Sequence, residues 1–382
     1  MVLFTDKQKE FCEWVRAFAI KEFSEGAMER ARLDYVAPEV IKKLADAGLL
    51  KLGTSAKYMS EPKDYVTMGI AFEEVCKVEF PAMLAMLVQV AIYGAAEWMS
   101  DELRDHLLPA SSSGEEFVCV ANTEPDCGSD AAAIRTEAVR DGDYYILRGE
   151  KTSISGGMQA KSALLTAKTN PEAGVKGVSL FYVPLDSPGV SRSMFNDMGN
   201  PSSGRASIIL DDVRVPVAYR IGEEGDGFIK IMSTFDASRV LVALTAIAMA
   251  EASLADAKEY VKQRTAFGHS LSKFQGVSFK LAEHATMIEA ARLICYKALM
   301  LRDRNLPHTK EAAMAKWFGP KCTVEAIHDL LLLFGHLGYS EATMMEQRWR
   351  SAVGFQLGDG TAEIMKMIIA RDMVGARLGP SM

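Results

Sequence analysis

Near its C-terminal end the chain reads Gly358-Asp359-Gly360-Thr361-Ala362-Glu363, a lone carboxylate between two glycines ahead of the stretch Ile364 to Ile369, apolar except for Lys366. Two uses suit that pattern. Asp359 can act as a general base at the mouth of a helix, or it can cap that helix within an ordinary Asp-Gly turn. Other residues with chemical reach are Thr123 and Ser129 in "NTEPDCGSD", Asp236 and Arg239 in "FDASR", and Arg264, Phe267 and Gln275 in "QRTAFGHSLSKFQ". Each has a structural use as well. Asp236 complements a helix dipole and Arg239 pairs with it one turn on. Arg264 is a solvated helix-end charge, Phe267 an interface plug, and Ser129 a turn hydroxyl.

Several chemistries are excluded. The six His form no HxxxH pair and none lies near a Cys at ligand spacing, which leaves metal binding unsupported. Cys12, Cys76, Cys119, Cys127, Cys295 and Cys322 lack CxxC spacing and read as reduced, structural thiols. Gly222-x-x-Gly225-x-Gly227 is acidic and lacks a βαβ setting, so it reads as a turn; there is no Walker A loop and no GxSxG elbow. A net charge of -7 offers nothing to neutralise a phosphate lattice, so no nucleic-acid partner is expected.

The elements that must position these residues follow from pattern. A chain of 382 residues, 49% hydrophobic and 24% charged, is a soluble protein of two or three domains. Residues 1–115 read as helical. Phe11, Trp14, Val15, Phe18 and Ala19 keep a helical period behind a Thr5/Gln8 capping box, and "APEVIKKLADAGLLKLG" is a second helix ending at its last Gly. The apolar stretch from Phe80 is interrupted by Gln89 and closed by Glu97; it predicts a buried helix, and no membrane span. No leader is apparent, which points to a cytoplasmic protein. In residues 116–222, "YYILRGEKTSIS", "SALLTAKT", "GVSLFYVPL" and "ASIILDDVRV" are strands spaced too closely for crossover helices, which predicts an antiparallel barrel or sandwich. From 223 to 382 the helical period returns in three or four long segments, a bundle.

The order of "NTEPDCGSD", "FDASR", "QRTAFGHSLSKFQ" and "GDGT" on this layout, together with "GEKTSIS", "GVSLFYVPLDSPGVS" and "LDDVRVP", resembles the acyl-CoA dehydrogenase family over nearly the whole chain. The resemblance implies a mostly α, α+β flavoprotein: an N-terminal helical domain, a middle β-barrel and a C-terminal four-helix bundle. It implies FAD between the β-domain and the bundle, a dimer of dimers, an acyl-CoA substrate and reoxidation by an electron-transferring flavoprotein. The base takes the α-proton and the β-hydride passes to flavin N5. By resemblance Thr123, Ser129 and Ser155 fall at flavin contacts, with Ser129 also near CoA. Arg264, Phe267 and Gln275 fall at adenosine-side contacts reached from a neighbouring subunit, where Arg suits a pyrophosphate and Phe a stacking face. Gly335, Thr361 and Glu363 fall at further cofactor positions, Glu363 where Gln is frequent. Asp236 and Arg239 fall at CoA contacts.

The departures are informative. The family base is commonly Glu before Gly-Thr, and here it is Asp359. Some members place the base just before the Arg of the FDxxR stretch, where this chain has Ser238, which is no carboxylate. Ser153 stands for a frequent Trp, Leu332 for a Gln, and Gly335-His336-Leu337-Gly338 for a GGxG run. An Asp base leans toward an unusual acyl group, such as alicyclic cyclohexane-1-carbonyl-CoA. It also leaves a nitroalkane-directed flavin oxidase open, and the altered cofactor positions leave a non-catalytic scaffold open.

Overall fold

The computed structural model describes residues 4–52 and 64–375. Helix α1 (Asp6–Phe23) starts where Thr5 and Gln8 exchange side-chain and backbone hydrogen bonds, the capping box expected. A short α2 (Ala27–Arg30) leads to α3 (Pro38–Asp46). That second helix stops earlier than predicted: Gly48 is left-handed (φ 73°) and turns the chain into a 3-10 turn at Leu49–Lys51. The Gly predicted to end it, Gly53, lies outside the described residues. Helices α4 (Tyr65–Val78), α5 (Ala82–Ala95) and α6 (Asp101–Ser112) complete this part. α5 is the apolar stretch read from Phe80, buried over most of its length.

Eight strands follow: β1 (Val118–Ala121), β2 (Glu137–Asp141), β3 (Tyr144–Ile154), β4 (Ser162–Lys168), β5 (Val178–Pro184), β6 (Val190–Met194), β7 (Ala206–Pro216) and β8 (Arg220–Ile221). They form one sheet in the order β6-β7-β3-β2-β4-β5-β8, with β1 beside β4. Two features differ from the prediction. The ladder runs from β6 to β8 without closing, so barrel closure is not part of the pairing. The β1–β4 pair is parallel, with Val118 opposite Ser162, and β2 meets β4 in parallel at Glu137 and Lys168. A parallel pair needs a crossover, and the β2–β3 hairpin supplies it in place of a helix.

Helix α7 (Gly227–Gln263) opens the bundle. A two-stranded ribbon, β9 (Thr265–Ala266) with β10 (His269–Ser270), joins it to α8 (Gln275–Asp303). Then come α9 (Thr309–Leu333), the short α10 (His336–Tyr339), α11 (Met345–Gly354) and α12 (Ala362–Val374). Among the described residues α7 is the one helix long and apolar enough to cross a membrane, and the most apolar window of it is 78% buried inside the protein. Its burial on several sides, rather than on one stripe, marks a central core helix.

Buried charge fastens the N-terminal helices to the bundle. Arg292 on α8 reaches Glu73 on α4 at 2.5 Å and Glu251 on α7, and Tyr296 donates to Glu73 at 2.7 Å. The β-domain meets the bundle at α11. Arg350 on α11 donates to the Met198 carbonyl, and the Asn200 N–H donates to Ser351 Oγ at 3.0 Å. A Cβ on Gly199 would come within 2.3 Å of the Arg350 carbonyl carbon, so only glycine allows this approach. All six cysteines are buried and unpaired.

Candidate active site

The Gly-Asp-Gly loop joins α11 to α12, and its cap is not Asp359. Thr361 is the N-cap residue of α12, accepting from the Ile364 N–H at 3.4 Å. Asp359 lies two positions upstream with φ 56°, in the left-handed region. Asp tolerates that region better than longer side chains do, because a short polar group finds local hydrogen bonds there. Gly360 follows at φ 101°, where a Cβ would meet Met365 Cε at 2.6 Å.

Three side chains from two other helices hold this loop. Ser238 on α7 donates to Asp359 Oδ2 at 2.7 Å. Arg239, next on α7, donates through Nε to the Asp359 carbonyl at 3.2 Å. Lys316 on α9 donates to the Phe355 carbonyl at 2.7 Å and the Gly360 carbonyl at 3.2 Å. Lys316 is 1% exposed. Burial pushes its ammonium down to about 8, against the pull of the Asp359 charge, while the Arg239 charge adds to the fall. Among the described residues no hydrogen bond uses the Asp359 N–H, so a backbone donor stands beside the carboxylate.

Asp236 and Arg239 are bound within the chain. Asp236 accepts from Arg239 Nη1 at 3.0 Å and from Thr309 at 2.6 Å. The helix pair read as their structural use is therefore present, and Arg239 also reaches the Gly-Asp-Gly loop.

A second constellation forms at the start of the β-domain. Lys151 on β3 is fully buried and donates to the Asn122 carbonyl at 3.1 Å and to Glu124 at 2.7 Å. Glu124 also accepts from the N–H groups of Arg135 and Thr136. Burial raises the Glu124 carboxyl, but Lys151 together with the hydrogen bonds from Thr136 and Arg135 more than offsets this and holds it below its ordinary range. The Thr152 N–H donates to the Thr123 carbonyl at 2.9 Å. A bulge with Ser153 at φ 58° then redirects the strand ahead of Ser155. Arg205 donates to Ser153 Oγ at 3.3 Å.

Thr123 and Ser155 are thus carried by two segments stitched to each other, and Ser129 is exposed on the same loop as Thr123. Thr123 and Ser155 are half-buried, and no side-chain hydrogen bond among the described residues uses the hydroxyl of Thr123, Ser129 or Ser155. Arg264 caps α7, and its carbonyl accepts from the Leu271 N–H at 2.8 Å. Phe267 at the ribbon tip is 94% exposed, with φ 51°. Gln275 is the first residue of α8 and is exposed. Gly335 (φ 59°) precedes α10, and His336 and Leu332 are exposed beside it. Glu363 is exposed and pairs with Lys366 at 3.1 Å.

Three family models cover this architecture: the acyl-CoA dehydrogenase N-terminal domain over residues 5–115, the middle domain over 119–213 and the C-terminal domain over 225–374. The chain is a member of the acyl-CoA dehydrogenase family. It is 33% identical over 378 residues to "Probable acyl-CoA dehydrogenase YngJ" of Bacillus subtilis, covering 97% of this chain and 98% of that protein. It is 33% identical over 358 residues to a mitochondrial short-chain specific acyl-CoA dehydrogenase of Mus musculus, covering 93% and 87%. The butyryl-CoA dehydrogenase of Megasphaera elsdenii has the same fold, with a TM-score of 0.91, 30% identity and coverage of 97% and 99%. The dehydrogenase is therefore an oxidoreductase acting on CH–CH groups, with FAD as cofactor. These relatives do not favour the oxidase or scaffold readings.

Sequence reasoning missed Lys151, Glu124 and Lys316, and it read Ser238 only for the charge it lacks. The available signal for Lys316 was its setting in "AAMAKWFG", a lysine with apolar neighbours on both sides.

Proposed function

We propose that Asp359 is the base of an α,β-dehydrogenation of an acyl-CoA thioester. The observation that supports this most directly is the loop itself: Asp359 is not the cap, its backbone is tied by Arg239 and its carboxylate is held by Ser238. Asp359 takes the α-proton while its own N–H donates to the thioester oxygen, where negative charge gathers. FAD, when bound, supplies the acceptor for the β-hydride. Thr123, Ser129 and Ser155 hold the flavin end, with Gly335, Thr361 and Glu363 as further cofactor contacts. Arg264, Phe267 and Gln275 serve the adenosine end of a neighbouring subunit in a dimer of dimers. A Phe side chain held almost wholly in solvent supports that assignment. Ser129, Asp236 and Arg239 line the CoA path. An electron-transferring flavoprotein reoxidises the enzyme, which works in the cytoplasm.

The acyl group is compact. An Asp arm is one methylene shorter than Glu, about 1.5 Å of reach, so the α-carbon must lie closer to the loop. The similar proteins named for short-chain substrates and butyryl-CoA agree with a small group, and an alicyclic acyl such as cyclohexane-1-carbonyl also satisfies the requirement.

The test is an anaerobic panel of linear, branched and cyclic acyl-CoAs, scored by bleaching of the flavin. Asp359→Asn should keep FAD and lose roughly 10²- to 10⁴-fold in bleaching rate, the usual worth of a positioned base. Bleaching by Asp359→Asn at the rate of the unaltered enzyme would overturn the assignment.

A further inference from the structure

We propose that Ser238 is a positioning residue for the base: its hydroxyl pins one carboxylate oxygen of Asp359 so that the other faces the substrate. This rests on the reading of Asp359 as the base. Two observations carry it. The hydroxyl is buried and 2.7 Å from Asp359 Oδ2. Arg239 already holds the Asp359 carbonyl, so the side-chain torsions are the freedom left, and the serine bond fixes them. With Oδ2 engaged, Oδ1 carries the lone pairs that reach the α-proton.

The same hydroxyl has a second acceptor, the Phe235 carbonyl at 3.2 Å. One hydrogen cannot serve both. While Asp359 is ionised the shorter, charge-assisted bond to Oδ2 wins. Once Asp359 has taken the α-proton its pull weakens, and the serine hydrogen turns to the Phe235 carbonyl without leaving the serine oxygen. Ser238 thus holds the carboxylate before the transfer and releases it afterwards, and no buried donor is stranded in either state.

The surroundings decide how this reads out. The charged groups facing Asp359 are Arg239 from α7 and Lys316 from α9, with Asp236 behind Arg239. Removing the serine donor takes away support for the ionised carboxylate in a site whose other charges are unchanged.

The experiment compares Ser238→Ala and Ser238→Thr with the unaltered holoenzyme, using butyryl-CoA and cyclohexane-1-carbonyl-CoA as probes. Ser238→Ala should slow anaerobic flavin bleaching about 10- to 100-fold, the range for a hydrogen bond to a charged group. It should also move the pH profile of the bleaching rate toward higher pH, since a donor to the charged form has gone. FAD content and affinity for acetyl-CoA, which has no β-hydrogen to give, should stay unchanged. Ser238→Thr, which keeps a hydroxyl, should restore most of the rate. In the Asp359→Asn background Ser238→Ala should have no further effect. If Asp359→Asn is inactive while Ser238→Ala matches the unaltered rate and pH profile, the serine proposal fails and the base stands. If Asp359→Asn is active, the base reading fails first.

Discussion

Replacing Lys316 with Met should change how stability depends on pH, and by an amount the structure sets. The ammonium is 1% exposed, and burial takes it from 10.5 to about 8 although Asp359 pulls it upward. Below pH 8 folded and unfolded chains both keep the proton, and folding carries the whole cost of burying the charge. Between 8 and 10.5 the unfolded chain still holds the proton while the folded one gives it up. Unfolding then takes up a proton, so the folded state gains stability as pH rises. At about 1.4 kcal/mol per pKa unit the gain is about 3 kcal/mol across that window. Lys316→Met lacks the titrating group and should lack the gain. It also strands the Phe355 and Gly360 carbonyls, each loss costing about 1–3 kcal/mol. The assay is urea unfolding of both holoenzymes at pH 7.5 and at pH 10.5. Subtracting one pH dependence from the other removes contributions that both proteins share. Parallel curves would refute the claim that a charged lysine is buried under the Gly-Asp-Gly loop.

Two further outcomes follow from the same geometry. Thr361→Ala should destabilise α12 by roughly 0.5–1 kcal/mol, read from thermal unfolding, whereas Asp359→Asn should leave the cap intact. Lys151→Met leaves Glu124 buried without its cation, and losing one partner of such a pair costs about 3–5 kcal/mol. The variant should show a lower melting temperature and, because Asn122 and Thr123 lose their brace, a lower flavin-to-protein absorbance ratio.

How much of this was legible in the chain depends on how far apart the partners are. The capping box at Thr5 and the pair Asp236–Arg239 involve residues one turn apart, and both were readable. The four longest strands were readable because they carry β-branched and aromatic runs. β6 was not, because an exposed edge strand of Val-Ser-Arg-Ser-Met has no buried face to set an apolar pattern. The parallel seating of β1 on β4 could not be read locally, since it depends on where a hairpin carries the chain. Ser238 and Asp359 are 121 positions apart, and Lys316 reaches carbonyls 39 and 44 positions away. No window of sequence contains such a contact, and a lysine reads as surface until its neighbours are known.

Asp359 is read as the base from the resemblance of its motif to the family's Glu-Gly-Thr run, and the local chain gives that residue its shape. Flanking glycines free the chain to turn sharply, and the residue between them takes the left-handed conformation that admits Asp at little cost. The step from Glu to Asp and the shape of this loop therefore belong together. The backbone turns the carboxylate back toward α7, where the shorter arm meets a serine hydroxyl instead of a second acid. On this account Asp at 359 and Ser at 238 are one choice rather than two. A glutamate placed at 359 alone would carry its carboxylate past the serine and lose the bond that aims it.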